Sequence, residues 1–165
     1  MVKFFVKELS SFSTKNPSQT KKLGEILAKE ILKTVPTKKA FIIGLTGELG
    51  GGKTTFLQGF AKGLGIKEKI LSPTFVIMKK FKIRGNSCLN LCKFVYFYHL
   101  DCYRIKKPKE ILDLDFKKII LNPQNIIAIE WAEKIKKILP KNTFIFKFKF
   151  INKTKREIVL ESNNG

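Results

Sequence analysis

Apolar residues recur along this chain at two spacings, and each spacing predicts a type of element. Between Pro17 and Pro36 they return every three or four positions, which predicts a helix, and the preceding Asn16 favours its start. In the segment 144–150 phenylalanines fall on one face and lysines on the other, which predicts a half-buried strand with 156–161 as its hairpin partner. Further strands are predicted at 2–9, 40–46, 75–83, 93–100 and 126–130, and further helical segments at 54–64, between Pro108 and Ile120, and after Trp131.

The order of these elements predicts the fold class. Buried strands separated by helices are typical of an α/β fold, here with a mixed central sheet and a C-terminal β-hairpin. The chain has 165 residues, of which 44% are hydrophobic, so it can bury a core of ordinary size. Neither a repeat nor a linker divides it, and we predict a single domain over residues 1–165.

The net charge of +20 raises the question of a nucleic-acid partner. Of the 33 basic residues, three are arginines (Arg84, Arg104 and Arg156) and the rest are lysines. Arginine is the side chain that recognises bases and phosphates in a fixed geometry, and it is scarce here. A solvated lysine surface and a dedicated binding face both stay open.

Cysteine content and the N-terminus bear on the cellular compartment. Cys88, Cys92 and Cys102 are too few for a disulfide framework, and with His99 they could form a four-ligand zinc set. A Cys-x-x-Cys pair is missing, which favours reduced thiols. Residues 1–9 lack the uninterrupted apolar core of a signal peptide, and no apolar run is long enough for a membrane span. We therefore expect a cytoplasmic protein.

The segment Gly47–Thr54 carries the strongest chemical signal in the chain. It matches the pattern G-x-x-x-x-G-K-[ST] in full, after an apolar strand and before a helix. Without Cβ atoms, such a loop can direct several backbone N–H groups at phosphate oxygens. Lys53 would reach the β- and γ-phosphates, the Thr54 hydroxyl would bind Mg²⁺, and Thr55 is placed to contact the α-phosphate. The sequence thus predicts a nucleoside triphosphate site.

The kind of nucleotide chemistry is less well specified by the sequence. A guanine site usually carries N-K-x-D, and the segment 152–155 has only its first half. Small-molecule kinases commonly place several arginines over the transferred phosphate, and three scattered arginines supply little for that. Both observations favour an ATPase. A nucleotide-dependent binding module and a small-molecule phosphotransferase stay open as alternatives.

Two carboxylates are candidates for the acidic partner that Mg²⁺ needs. Asp101 and Glu130 each follow an apolar strand, and the carboxyl ends of such strands form the ligand edge of the sheet. One would hold the metal and the other would orient water. Either could instead be a surface carboxylate at a strand end.

Five short motifs together resemble one family. They are "SQTKKLGEILA" at 18–28, "GELGGGKTTF" at 47–56, "SPTF" at 72–75, "HLDCYR" at 99–104 and "IEWAEKI" at 129–135. Their content and order are similar to those of the bacterial TsaE (YjeE) family, and the match covers nearly the whole chain. The resemblance implies a P-loop NTPase-like fold of three layers.

The resemblance also implies a function and a set of site residues. TsaE-like proteins are small ATPases needed for threonylcarbamoyladenosine formation in tRNA, and they work with the TsaB and TsaD proteins. ATP and Mg²⁺ are the implied cofactors, a TsaB–TsaD complex is the implied partner, and tRNA contact is left open. The implied residues are Gly50, Gly51, Gly52, Lys53, Thr54 and Thr55 for the phosphates, Thr20 near the base, Thr54 and Glu130 for Mg²⁺, Asp101 as the catalytic or metal-supporting carboxylate, Lys53 also for catalysis, and Ser72–Phe75 as a switch-like loop. Trp131 matches a family aromatic near the site, although a buried core tryptophan is an equally good interpretation.

One segment departs from the family pattern. Residues 82–93 are longer than the usual short turn between two strands, and they add positive charge. The extension could serve tRNA or a partner, although an indifferent hairpin extension is the simpler expectation.

Overall fold

Strands and helices alternate in the computed structural model, which describes residues 11–34, 36, 38–71, 76–83 and 94–161. The strands are β1 (Ser11–Thr14), β2 (Phe41–Gly47), β3 (Met78–Lys82), β4 (Tyr96–Asp101), β5 (Asn125–Glu130), β6 (Phe144–Phe150) and β7 (Arg156–Glu161). The α-helices are α1 (Pro17–Leu32), α2 (Lys53–Gly63), α3 (Lys109–Leu112) and α4 (Phe116–Leu121), and a 3-10 helix covers Ala132–Ile138.

The strands of the described residues form one mixed sheet in the order β1-β7-β6-β2-β5-β4-β3. At its centre β2 pairs in parallel with β5 and β6, and β5 pairs in parallel with β4. The remaining pairings, β3 with β4, β6 with β7 and β1 with β7, are antiparallel. The predicted mixed sheet and the C-terminal hairpin are therefore confirmed.

The two faces of the sheet are covered by separate hydrophobic clusters. Alternate residues of a strand point to opposite faces, and in β5 Ile126 and Ala128 join one cluster while Ile127 and Ile129 join the other. The first cluster packs against α1 and α2, and the second against α3, α4 and the 3-10 helix. This arrangement confirms the predicted three-layer fold.

Helix α1 begins where the sequence predicts it. Asn16 has an extended backbone, its Oδ1 accepts a hydrogen bond from the N–H of Gln19 at 2.9 Å, and Pro17 occupies the first helical position. The helix packs closely along α2, with glycines of both helices at the contact. The pair forms the layer that supports the loop before α2.

The agreement is weaker at the N-terminus. The predicted strand at 2–9 lies outside the described residues. Strand β1 was not predicted, because four residues are too short for an alternating pattern, and it exists only through pairing with β7 at the sheet edge.

None of the helices in the described ranges combines the length and the apolar character that a membrane span requires.

Candidate functional site

The carboxyl ends of the parallel strands β2, β5 and β4 meet at one edge of the sheet, and a cleft of about 660 Å³ opens there. Residues 49–55, from the connection after β2 and the first turn of α2, form one wall. This edge is where open α/β sheets bind their ligands. The residues that line the opposite wall from the ends of β4 and β5 are Asp101, Tyr103, Arg104, Glu130 and Trp131.

The loop Gly47–Thr54, called the glycine loop below, requires glycine at particular positions. Gly47 has a φ of 117°, and a Cβ there would lie 2.1 Å from the carbonyl oxygen of Phe148. Gly52 has a φ of 97° and directly precedes α2. The first turn of a helix leaves N–H groups without helical acceptors, so its N-terminus favours an anion. The loop therefore presents bare backbone and a helix start to the cleft.

Lys53 directs its ammonium group into the glycine loop. Its Nζ donates hydrogen bonds to the carbonyl oxygens of Gly47 at 2.6 Å and Glu48 at 2.8 Å, and it lies 3.7 Å from the centre of the Trp131 ring. Burial lowers the pKa of Lys53, and nearby carboxylates, Glu130 foremost, oppose that effect. The hydrogen bonds go to neutral acceptors, so phosphate oxygens in the loop would offer stronger ones.

A row of hydrogen bonds crosses the floor of the cleft. The Thr54 hydroxyl donates to Glu130 Oε2 at 2.8 Å, and His99 Nε2 lies 3.0 Å from Glu130 Oε1. Glu130 and His99 are both buried. The last residue of β5 is thus joined to the first turn of α2 on one side and to β4 on the other.

Asp101 ends β4 directly opposite Glu130 in the parallel pairing of the two strands. Its Oδ1 accepts a hydrogen bond from the N–H of Tyr103 at 2.9 Å. The Tyr103 ring lies against Trp131 with 5.0 Å between the ring centres. Trp131 has a φ of 58°, a left-handed conformation that is uncommon for a non-glycine residue and that turns the chain immediately after Glu130. The two carboxylates and the two aromatic rings therefore share one wall.

The remaining predicted residues divide between the cleft and the layer behind it. Gly50, Gly51 and Gly52 line the cleft, as does Thr55. Thr20 is buried behind the glycine loop, where its hydroxyl bonds that of Thr14 at 2.8 Å, and its methyl group would lie 3.7 Å from a Cβ at position 52. Contact between Thr20 and a nucleotide base stays a prediction.

Arg156 reaches the glycine loop and was missed by the sequence interpretation. Its Nε donates to the carbonyl oxygen of Gly50 at 3.0 Å, and its Nη1 donates to those of Asn152 at 2.6 Å and Lys155 at 2.9 Å. The guanidinium carbon lies 4.5 Å from the centre of the Phe150 ring. No local pattern identifies this contact, because it arises only when the C-terminal hairpin pairs beside β2.

Two further predictions fall on residues that the structure does not describe. The switch-like loop at Ser72–Phe75 is one of them. Most of the extension at 82–93, with Cys88 and Cys92, is the other.

The other two members of the hypothetical zinc set lie on different sides of the sheet. His99 shares the face of Phe97 and bonds Glu130, whereas Cys102 belongs to the cluster on the opposite face. Burial raises the pKa of the Cys102 thiol to about 12, so this sulfur is held protonated.

The donor set of the cleft fits magnesium. Thr54 and Glu130 bring two oxygen donors together, and Mg²⁺ commonly takes one or two protein oxygens with water and substrate phosphates as the rest. Within the described ranges no group of three or more His, Cys, Asp or Glu side chains is placed to hold a metal alone. The pair therefore suits a metal that arrives with phosphates.

A family model described as "Threonylcarbamoyl adenosine biosynthesis protein TsaE" matches residues 14–158, a span that includes every residue of the cleft. The chain belongs to the TsaE family. The resemblance inferred from the five motifs is thereby confirmed.

Individual TsaE proteins are similar to this chain over most of their length. The tRNA threonylcarbamoyladenosine biosynthesis protein TsaE of Haemophilus influenzae is 31% identical over 146 residues, which cover 88% of this chain and 83% of that protein. The protein of the same description from Bacillus subtilis is 35% identical over 145 residues, which cover 88% of this chain and 80% of that protein. A crystal structure of Bacillus subtilis YdiB matches with a TM-score of 0.68 and 28% identity, over 93% of this chain and 85% of the other. This chain and that protein thus share one fold.

Proposed function

We propose that this protein is a Mg²⁺-dependent ATPase that serves threonylcarbamoyladenosine modification of tRNA together with a TsaB–TsaD complex. The observation that carries the proposal is the convergence of Lys53, the Thr54–Glu130 pair and Asp101 on one cleft at the start of α2. Membership in the TsaE family supports the pathway. Because that pathway acts on tRNA, bound directly or through the complex, we place the activity in the cytoplasm.

In this proposal the glycine loop binds the phosphates of ATP. Backbone N–H groups around Gly50–Gly52 and the first turn of α2 face the α- and β-phosphates, and Thr55 assists at the α-phosphate. The Lys53 ammonium exchanges its two carbonyl acceptors for β- and γ-phosphate oxygens. Since these oxygens are charged, the new hydrogen bonds are stronger than those it leaves.

Thr54 and Glu130 would hold the metal in the proposed site. Mg²⁺, when bound, would neutralise part of the negative charge on the phosphates. Asp101 orients the attacking water and accepts its proton. The hydrogen bond from the Tyr103 N–H fixes one oxygen of Asp101 and so limits how the carboxylate can turn.

The rim of the cleft supports the need for a partner. Leu49, Val76 and Tyr103 line the cleft and are exposed, to 76%, 56% and 50% respectively. Exposed apolar side chains around a cleft are typical of a protein interface. A TsaB–TsaD complex seated there would cover these side chains and exclude water from the cleft, which strengthens the electrostatic interactions inside it.

ATP turnover by the purified protein is expected to be slow and to increase by about tenfold or more when purified TsaB–TsaD is added. Phosphate release measured with and without the complex checks this. The complex should also bind more strongly with ATP than with ADP, because hydrolysis can drive a cycle only if the two nucleotide states differ in partner affinity. Turnover that does not respond to the complex would contradict the partnership.

Two controls separate the alternatives. Analysis of the products distinguishes hydrolysis from phosphate transfer, since a phosphotransferase leaves a phosphorylated acceptor. A non-hydrolysable ATP analogue that fully supports modification would instead indicate a binding module.

Association of the protein with the TsaB–TsaD complex should also persist near physiological salt, whereas attraction driven only by the charge of +20 falls steeply with salt. Normal threonylcarbamoyladenosine in cells depleted of the protein would contradict the pathway.

The two carboxylates should respond differently to amide substitution. Glu130→Gln is expected to weaken Mg²⁺-dependent nucleotide binding by about tenfold or more, because it removes a charged metal ligand. Asp101→Asn is expected to bind nearly normally and to slow turnover by about 10²- to 10⁴-fold, the range of general base catalysis. Binding calorimetry with single-turnover kinetics tests both. The reverse pattern would exchange the two roles.

Arg156→Ala should weaken nucleotide binding by about twofold to tenfold, because a net hydrogen-bond contribution of about 0.5–1.5 kcal/mol that holds the glycine loop is lost. Lys149→Ala is the matched control, since Lys149 lies on the same hairpin, is half-exposed and forms an ion pair with Glu157 at 3.1 Å. Its affinity should remain close to that of the unmodified protein. Equal effects of both substitutions would mean that charge alone is responsible.

A further inference from the structure

His99 is the single histidine of the chain, and the proposed chemistry gives it no role so far. It lies on β4, two residues before Asp101, and its side chain is 2% exposed. Its Nε2 lies 3.0 Å from Glu130 Oε1. A carboxylate oxygen can only accept, so Nε2 carries the hydrogen of this bond.

The contact restrains Glu130 from the side away from the glycine loop. One oxygen of the carboxylate accepts from His99 and the other accepts from Thr54, so each oxygen has a defined partner. Glu130 is 2% exposed, which leaves little water to compete for either bond. Hydrogen bonds to both oxygens restrain the rotation of the carboxylate about its terminal torsion, which is otherwise soft.

We propose that His99 is a positioning residue for the metal site: it engages Oε1 of Glu130 and thereby presents Oε2, next to the Thr54 hydroxyl, as the oxygen that binds the metal. The proposal rests on the proposed function, since it assumes that Glu130 and Thr54 hold Mg²⁺. Hydrogen-bond partners of metal ligands commonly orient them, and their removal typically lowers metal affinity or activity by about 10- to 100-fold.

A purely structural role for His99 makes a different prediction. A buried histidine that only fills space beneath the cleft would, when replaced, reduce stability and affect all ligands alike. A positioning role affects the metal-dependent part of nucleotide binding and leaves the metal-independent part unchanged. Affinity measured with Mg²⁺ and again with EDTA separates the two parts.

The experiment compares three substitutions in the full chain. His99→Gln places an amide nitrogen close to the position of Nε2 and keeps the donor, His99→Asn is one methylene shorter, and His99→Leu has no donor. The probe is a non-hydrolysable ATP analogue, titrated by calorimetry in Mg²⁺ and in EDTA, followed by a Mg²⁺ titration of the analogue complex. We expect His99→Leu and His99→Asn to lose about 10- to 100-fold in Mg²⁺ affinity, while their affinity for the analogue in EDTA is unchanged. The Mg²⁺ affinity of His99→Gln should stay within about threefold of that of the unmodified protein.

Thermodynamic coupling gives a second measurement. If His99 acts through Glu130, His99→Leu should have no further effect on Mg²⁺ affinity in a Glu130→Gln background. If His99→Leu does not fold, the comparison of His99→Gln with His99→Asn carries the test alone. Both substitutions keep a polar amide, and they differ only in whether it reaches Oε1.

The outcomes distinguish this inference from the proposed function. Unchanged Mg²⁺ affinity in His99→Asn and His99→Leu, with a Mg²⁺-dependent unmodified protein, overturns the inference and leaves the function standing. Equal losses in Mg²⁺ and in EDTA overturn it in favour of a structural role. An unmodified protein whose nucleotide binding does not respond to Mg²⁺ overturns both.

Discussion

Replacement of Lys53 by methionine is expected to weaken nucleotide binding by about 10- to 100-fold, because hydrogen bonds to charged groups contribute about 1.5–3 kcal/mol. The ammonium group already lies inside the glycine loop, 2.6 Å from the Gly47 carbonyl oxygen and 2.8 Å from that of Glu48. An incoming phosphate needs only to take over these hydrogen bonds. Calorimetric titration with Mg²⁺ and a non-hydrolysable ATP analogue measures the loss.

The same substitution should leave the fold intact. Burial lowers the pKa of Lys53 below that of the unfolded chain, so at neutral pH the buried charge opposes folding and methionine removes this penalty. The two hydrogen bonds to carbonyl oxygens are lost, which acts in the opposite direction. An unbranched methionine can still lie against Trp131. Thermal unfolding should therefore occur near the temperature of the unmodified protein.

Lys62→Met provides the matched control. Lys62 lies on the same helix, its side chain is 75% exposed, and it contacts Glu25 Oε2 at 3.3 Å, away from the cleft. Its replacement lowers the net charge of +20 by the same single unit. Equal weakening in both variants would indicate general attraction of a polyanion. Unchanged affinity in a folded Lys53→Met protein would mean that the glycine loop does not bind the phosphates.

The sequence predicts much of the fold where local patterns determine it. The alternation of Phe and Lys places β6 at its observed residues, and Asn16 followed by Pro17 identifies the start of α1. Strand β1 was not predicted because four residues are too few for an alternating pattern to be recognised, and because the strand depends on pairing with β7 from the far end of the chain. The order of strands in the sheet is likewise a property of long-range pairing, which no window of residues contains.

In the candidate site, too, local patterns predict some features and long-range pairing determines the others. Lys53, Thr54, Asp101 and Glu130 were predicted from a motif and from strand ends, and the structure brings them to one cleft. The contacts that hold them were missed. Arg156 comes from a distant hairpin, and the bond between His99 and Glu130 depends on the register of β4 against β5. The single domain over residues 1–165 and the role of Thr20 stay predictions.

The contact between α1 and α2 leads to the second large effect: Gly59→Ala should destabilise the protein by about 3 kcal/mol, at or beyond the upper end of ordinary overpacking. A Cβ at position 59 would lie 1.8 Å from the carbonyl oxygen of Lys21 and 2.5 Å from its carbonyl carbon. Both atoms belong to the backbone of α1, so no side-chain rotation relieves the overlap. Helix α1 must move away from α2, and the packed core beneath both helices loses contacts.

The sign of the effect is informative because helix propensity predicts the opposite. In a helix interior alanine is favoured over glycine by about 1 kcal/mol, and it also restricts the unfolded chain. A glycine without a packing role would therefore give a more stable alanine variant. Only close approach of the two helices makes alanine unfavourable at this position.

Thermal unfolding of Gly59→Ala should occur about 6–12 °C below that of the unmodified protein, the shift that about 3 kcal/mol produces in a chain of this size. Gly63→Ala, whose Cβ would lie 2.5 Å from the Glu25 carbonyl oxygen, should lose less, because a smaller movement of α1 relieves the overlap. Lys62→Ala is the control on the same helix and should change stability by less than about 1 kcal/mol, since the Lys62 side chain is largely exposed and Glu25 keeps its shorter ion pair with Lys29, at 2.6 Å. If Gly59→Ala unfolds at or above the temperature of the unmodified protein, the helices cannot pack as closely as the structure places them, and the glycine at position 59 requires another explanation.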